Sequence, residues 1–200
     1  MTAVATDPVA LRREFRARRT SLSPTLRVAA AGQLAARLSA SGAMPAQGFV
    51  AGYWALDGEI ALHVWQTSLP HALRYCLPVL HDDGRLRFAP WSPGEPLLSN
   101  RFGIPEPDVA PDMLLDASRL ALAIVPLVAF DANCHRVGMG GGWYDRTFAF
   151  RHAPGAGTPR LVGAAYEIQR APRLVPAPWD VRLDAVCTEA ATYSADTGST

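Results

Sequence analysis

The chain has no lysine: its 200 residues carry 19 basic side chains, and every one is arginine. Without a lysine amine a protein cannot form a Schiff base with a carbonyl substrate or anchor pyridoxal phosphate, so both chemistries are excluded. Any cation that meets a phosphate must then be a guanidinium, whose planar fork suits paired oxygens. Cysteine is scarce as well. Cys76, Cys134 and Cys187 are odd in number, widely spaced and without a C-x-x-C pair. A disulfide framework is excluded, and the thiols are expected as small core hydrophobes in a reducing, cytoplasmic compartment.

No apolar run approaches the roughly eighteen residues that would span a bilayer. The first ten residues lack the basic-then-apolar order of a secretory signal. A net charge of +1 offers no broad field to nucleic acid or to an anionic membrane, so neither is expected as a partner.

Two nucleotide fingerprints are missing. No Gly-Lys-[Ser/Thr] tripeptide exists, which removes the Walker loop, and Trp143 stands where a dinucleotide loop needs its third glycine. What the chain has instead is Arg136-Val137-Gly138-Met139-Gly140-Gly141-Gly142-Trp143-Tyr144-Asp145-Arg146. Glycines at this density shed Cβ atoms and let backbone amides approach a ligand closely. An apolar strand-like stretch at 120–125 precedes the loop and a helix-forming stretch follows it. Strand, glycine loop and helix start together form an arrangement that cradles phosphate oxygens. A plain glycine turn is the alternative.

Length and a 49% hydrophobic content suit one domain, expected over 1–193, with a small polar disordered tail over 194–200. Leu11 and Phe15 predict a helix over 8–21, and Ser23-Pro24 caps a second that carries Leu26, Ala30, Leu34 and Leu38 to about residue 40. Arg12, Arg13, Arg16, Arg18 and Arg19 crowd the first helix. They form a solvated face, a nucleic-acid surface, or the source of one arginine lent to a ligand.

Strands are expected at 48–55, 73–80, 86–89, 120–128, 161–166 and 185–188, with Asp82-Asp83-Gly84 turning a hairpin. Residues 90–111 read as a long irregular loop. Glu59 is expected at a helix start just past a strand end, where open α/β sheets place ligands, or as a partner of the helix dipole. Strands alternating with helices give an α/β fold: a single domain with a mostly parallel central sheet and helices on both faces.

The order of these pieces resembles the 5-formyltetrahydrofolate cyclo-ligase family, also called methenyltetrahydrofolate synthetases. The likeness runs through Leu11-Arg12, the stretch 54–60, Phe102-Gly103-Ile104-Pro105-Glu106-Pro107, the block 125–146 and the stretch 180–184. The central block is its specific part. The resemblance implies a NagB/RpiA/CoA-transferase-like fold. It also implies ATP- and Mg²⁺-dependent conversion of 5-formyltetrahydrofolate to 5,10-methenyltetrahydrofolate, with release of ADP and phosphate.

By the same resemblance, Arg12, Arg136 and the run Gly138, Met139, Gly140, Gly141, Gly142, Trp143, Tyr144 and Asp145 would meet ATP. Trp54 and Glu59 would meet the reduced folate, together with Met139 to Trp143. Arg136, Tyr144 and Asp145 would be catalytic, and Asp145 and Asp184 would hold Mg²⁺. Small molecules would be the only partners, and the protein a monomer or weak homodimer. From the residues alone, Asp145 could equally be a helix-dipole partner and Trp143 a core residue.

Three positions depart from the family pattern. Pro8 stands where some members have a lysine, and Met139 and Gly141 are uncharged where some are basic. Two other readings therefore stay open: a non-catalytic folate- or nucleotide-binding protein, and an ATP-dependent enzyme acting on another formylated heterocycle.

Overall fold

A seven-stranded sheet in the order β11-β10-β9-β6-β1-β2-β3 organises the computed structural model, which describes residues 7–153 and 155–195. Its strands are β1 (Gly48–Ala51), β2 (Leu73–Leu80), β3 (Leu86–Pro90), β6 (Leu120–Pro126), β9 (Arg160–Ala164), β10 (Ala185–Cys187) and β11 (Thr192–Ser194). The inner pairs β2–β1, β1–β6, β6–β9 and β9–β10 are all parallel, and only the outer pairs β2–β3 and β10–β11 are antiparallel. Two further hairpins stand outside this sheet: β4 (Leu97–Ser99) with β5 (Pro105–Pro107), and β7 (Ala129–Phe130) with β8 (Arg136–Val137).

The helices are α1 (Pro8–Thr20), α2 (Pro24–Ala40), α3 (His63–Thr67) and α4 (Trp143–Phe148). Each of the first two begins as its sequence dictates. The Asp7 carboxylate accepts from the amides of Val9 and Ala10, the Ser23 hydroxyl accepts from Leu26, and proline follows each cap. The α2 stripe Leu34 and Leu38 packs with Val50, Leu122, Ile124 and Trp65 of α3 on one face of the sheet. On the other face Ala51, Ala123, Val125 and Leu161 pack with Phe148 of α4. Helices therefore cover both faces, as expected.

Chain order places the topological switch between β1 and β6. From β1 the chain moves outward to β2 and β3, then returns to β6 on the other side of β1. Loops leaving the carboxyl ends of β1 and β6 diverge there and leave a crevice.

Several boundaries differ from expectation, each for a physical reason. The first strand ends at Ala51 rather than 55, because at Gly52 the chain passes the Tyr75 hydroxyl, which would lie 2.1 Å from an added Cβ. The run 120–128 breaks after Pro126, and the β7–β8 hairpin intervenes before the glycine loop, so no sheet strand leads into that loop directly. The buried Asp131 carboxylate turns this hairpin by accepting from the amides of Asn133 and His135.

The loop 90–111 contains β4 and β5, turned by Asn100, whose side-chain oxygen accepts from the amides of Phe102 and Ile104. The strand at 185–188 is not the last, since β11 pairs with it and includes Ser194. The tail residues 196–200 lie outside the described residues.

Candidate active site

Three arginines on one face of α1 build the floor of the crevice. Positions 12, 16 and 19 repeat at helical spacing. The Arg12 Nε donates to the Gly138 carbonyl at 2.9 Å, and the guanidinium carbon would lie 3.4 Å from a Cβ at Gly140. Arg16 pairs with Asp57 at 2.8 Å. Arg19 is fully buried; its Nε donates to the Asp57 carbonyl at 3.0 Å and its Nη1 to the Leu127 carbonyl at 3.3 Å. Of the three alternatives for this cluster, a solvated face fits Arg18 beside Glu14, whereas Arg12 and Arg19 face inward and the exposed Arg16 pairs with Asp57.

The segment after β1 is a loop at Glu59, not a helix start, for α3 begins only at His63. Asp57 and Gly58 turn it with positive φ values of 49° and 75°, and the Arg27 guanidinium fills the space where a Gly58 side chain would stand. The buried Ile60 and Leu62 pull the chain inward before a helix can begin. Glu59 Oε2 accepts from the Leu56 amide at 3.1 Å, while Oε1 lies 3.8 Å from Arg19 Nη1. Burial raises the Glu59 pKa; the Leu56 hydrogen bond and the Arg19 charge oppose that rise.

The glycine loop is shaped by its neighbours. Gly140 and Gly142 adopt φ values of +100° and +64°, which side chains rarely accept. A Cβ at Gly141 would come within 2.9 Å of Trp143, and one at Gly142 within 2.8 Å of Arg146. Gly138 has nothing within 4 Å of the space a Cβ would take, and the neighbouring Met139 is half-exposed.

Trp143 meets Phe102 of the β4–β5 tip edge-on at 6.4 Å, and Arg101 lies over both rings. It is partly exposed and also packs against the core. Tyr144 stacks on Phe148; burial first, then the Glu59 charge, push its phenol up. Trp54 is partly exposed and meets Trp91 edge-on at 5.9 Å, forming an aromatic corner.

Arg136 and Asp145 close the far side. Arg136 Nη2 donates to Asp145 Oδ1 at 2.7 Å and Nη1 to the Val181 carbonyl at 3.1 Å, leaving its side chain 6% exposed. Asp145 Oδ1 also accepts from the Val181 amide at 3.2 Å, and no described residue hydrogen-bonds Oδ2. Asp184 is engaged on both oxygens: Oδ1 with Arg151 and Oδ2 with the Leu161 amide, each at 2.7 Å. No group of three or more His, Cys, Asp or Glu side chains suited to a metal occurs among the described residues.

The fold thus brings Arg12 to the glycine loop, Arg19 to Glu59, and Asp145 to Arg136. It gives Asp184 a separate partner. Sequence reasoning named Arg16 and Arg19 only as members of the arginine cluster and missed Asp57 and Arg101. For the two arginines the 12, 16, 19 spacing was a usable signal; for Arg101 none existed. A cavity of about 510 Å³ borders the amino end of β2 and is lined by Leu73, Tyr75, Trp91 and Pro96 among others; Arg12, Glu59, Arg136 and Asp145 do not line it.

The model of the 5-formyltetrahydrofolate cyclo-ligase family matches residues 5–189. The 5-formyltetrahydrofolate cyclo-ligase of Escherichia coli (strain K12) is 36% identical over 178 residues, covering 87% of this chain and 96% of that protein. That of Haemophilus influenzae is 38% identical over 137 residues, covering 67% and 72%. The solution structure of Aquifex aeolicus 5,10-methenyltetrahydrofolate synthetase superposes with a TM-score of 0.79 at 26% identity, covering 96% of this chain and 95% of that one. A Mycoplasma pneumoniae 5,10-methenyltetrahydrofolate synthetase shares the fold with a TM-score of 0.72 at 20% identity, covering 92% and 99%.

Proposed function

The chain belongs to the 5-formyltetrahydrofolate cyclo-ligase family, and we propose that its crevice carries out that reaction with ATP bound on the glycine loop and the reduced folate at Glu59. It converts 5-formyltetrahydrofolate to 5,10-methenyltetrahydrofolate. The observation that carries the assignment of sites is the meeting of two loops at one sheet edge. Arg12 docks on Gly138, and Arg16 of the same helix pairs with Asp57, two residues before Glu59.

The chemistry needs two displacements. The formyl oxygen attacks the γ-phosphorus, an O–P bond forms, and the bond to ADP breaks. N10 then attacks the activated carbon, a C–N bond forms, phosphate departs, and the N10 proton passes to solvent. Neither step requires a covalent protein nucleophile; both require alignment and charge neutralisation. Amides of Gly138 to Gly142 supply donors to the phosphate oxygens. Arg12, tied through Nε, keeps its remaining N–H groups for the same anion. Glu59 accepts hydrogen bonds from the donor edge of the pterin, and Trp54 with Trp91 offers a flat apolar wall.

Asp145 fits a magnesium ion through Oδ2, because Mg²⁺ is usually held by one or two carboxylates plus phosphate oxygens and water. Arg136 then acts through Asp145, fixing the carboxylate instead of meeting phosphate itself. Asp184 fits less well, since Arg151 must turn aside before Oδ1 can serve as a second ligand. When bound, the ion would neutralise charge on the transferred phosphoryl group.

The test is turnover. Purified protein with 5-formyltetrahydrofolate, ATP and Mg²⁺ should generate the near-ultraviolet absorbance of the methenyl product, and omission of ATP should abolish it. Ligand binding without product would establish the non-catalytic reading instead.

A further inference from the structure

Arg19 is the least exposed charged side chain among the described residues, and neither the phosphate nor the folate assignment uses it. Its side chain has no solvent exposure. It spans the topological switch, donating to the Asp57 carbonyl after β1 and to the Leu127 carbonyl after β6. Nη2 has no hydrogen-bond partner among the described residues. A guanidinium left short of one acceptor in the interior is costly, so the fold retains it against its own stability.

What it faces is Glu59. The approach of Arg19 Nη1 to Oε1, at 3.8 Å, is close enough for strong attraction and too long for a hydrogen bond. The other oxygen, Oε2, is already held by the Leu56 amide. Glu59 is thereby fixed at one oxygen and kept charged at the other without spending that oxygen's lone pairs. A substrate N–H can take them.

We propose that Arg19 is a positioning residue for the reaction, locking the two loops of the crevice together and holding Glu59 as an ionised, open acceptor for the pterin. This rests on the assignment of the folate to Glu59. The charges of Arg16 and Asp57 also act on Glu59, and the Glu59 charge acts on Tyr53, two residues past β1, and on Tyr144 of α4. Arg16 and Asp57 are paired with each other, and burial keeps both phenols neutral, so Arg19 is the cation left to offset the burial of Glu59.

The experiment is the pH dependence of kcat/KM for 5-formyltetrahydrofolate at saturating ATP, for wild type, Arg19→Gln, Arg19→Lys and Glu59→Gln. Losing the neighbouring charge raises a buried carboxylate's pKa, so the acid limb of Arg19→Gln should move up by about one pH unit or more. Its KM for folate should rise while its KM for ATP stays within about twofold. Arg19→Lys, which restores charge without the fork, should return the limb toward wild type. Glu59→Gln should abolish that limb, a readout that needs no change at Arg19 and so survives if Arg19→Gln fails to fold. An acid limb unmoved in Arg19→Gln, or one persisting in Glu59→Gln, overturns the proposal. Wild-type protein without any turnover would instead overturn the reading of the site on which it rests.

Discussion

Arg12 and Gly138, 126 residues apart, are joined by a 2.9 Å hydrogen bond from the guanidinium Nε to the loop carbonyl. The bond fixes the first helix against the glycine loop and delivers a cation to a loop that lacks one of its own. In a chain without lysine this contact puts a guanidinium beside the loop proposed to hold phosphate.

Arg12→Ala should therefore raise the KM for ATP by about tenfold or more, since a hydrogen bond to a charged group is worth about 1.5–3 kcal/mol. The affinity for 5-formyltetrahydrofolate, measured by equilibrium titration without ATP, should change little. A defect confined to folate would contradict the placement of ATP on this loop.

Asp145→Asn keeps the size of the side chain and its contact with the Val181 amide but removes the charge facing Arg136. Breaking that pair should lower stability by about 1–3 kcal/mol, which denaturant titration will read. The Mg²⁺ concentration for half-maximal turnover should rise at least severalfold. Unchanged turnover at limiting Mg²⁺ would refute the assigned role.

Glu59 links pH to stability with a definite sign. Burial raises its pKa in the folded state above the unfolded value. The folded protein therefore favours the protonated form, and the resulting stability is present at low pH and lost as pH rises through the folded pKa. Glu59→Gln lacks this loss. The melting temperature of the variant minus that of wild type should increase as pH rises from the ordinary glutamate range toward neutrality, even as folate binding weakens. A difference independent of pH would show that Glu59 titrates as an ordinary surface carboxylate.

Gly163 in β9 provides a control away from the crevice floor. An added Cβ would meet Leu183 at 2.7 Å, Leu127 at 2.8 Å and Val186 at 3.1 Å. Gly163→Ala should cost about 1–3 kcal/mol through overpacking, lowering the melting temperature by several degrees. Its kcat well below the transition should remain near wild type.

Much of the scaffold was legible because its signals are local. Asp82-Asp83-Gly84 turned the β2–β3 hairpin as read, Ser23-Pro24 started α2, and the apolar run at 120–126 became the central parallel strand. Elements set by tertiary contacts were not legible. The β7–β8 hairpin lies hidden in an apolar stretch because Asp131 turns it from a buried position. Glu59 read as a helix start because Ile60, Val64 and Trp65 repeat at helical spacing, yet the arginines beneath the loop hold it open. At the site, the glycine loop and its partner Arg12 could be read. Pairings such as Arg16 with Asp57 depend on how α1 crosses the sheet edge, which no local pattern records.

The central claim is that the formyl oxygen takes the phosphoryl group of ATP before the ring closes. The most direct measurement uses 5-formyltetrahydrofolate labelled with heavy oxygen in the formyl group, incubated with the protein, ATP and Mg²⁺. The released phosphate is then analysed by mass spectrometry alongside methenyl product and ADP. One labelled oxygen in each phosphate, with product and ADP formed in equal amounts, is the predicted result. Methenyl product accompanied by unlabelled phosphate, or ADP released without product, would contradict the account.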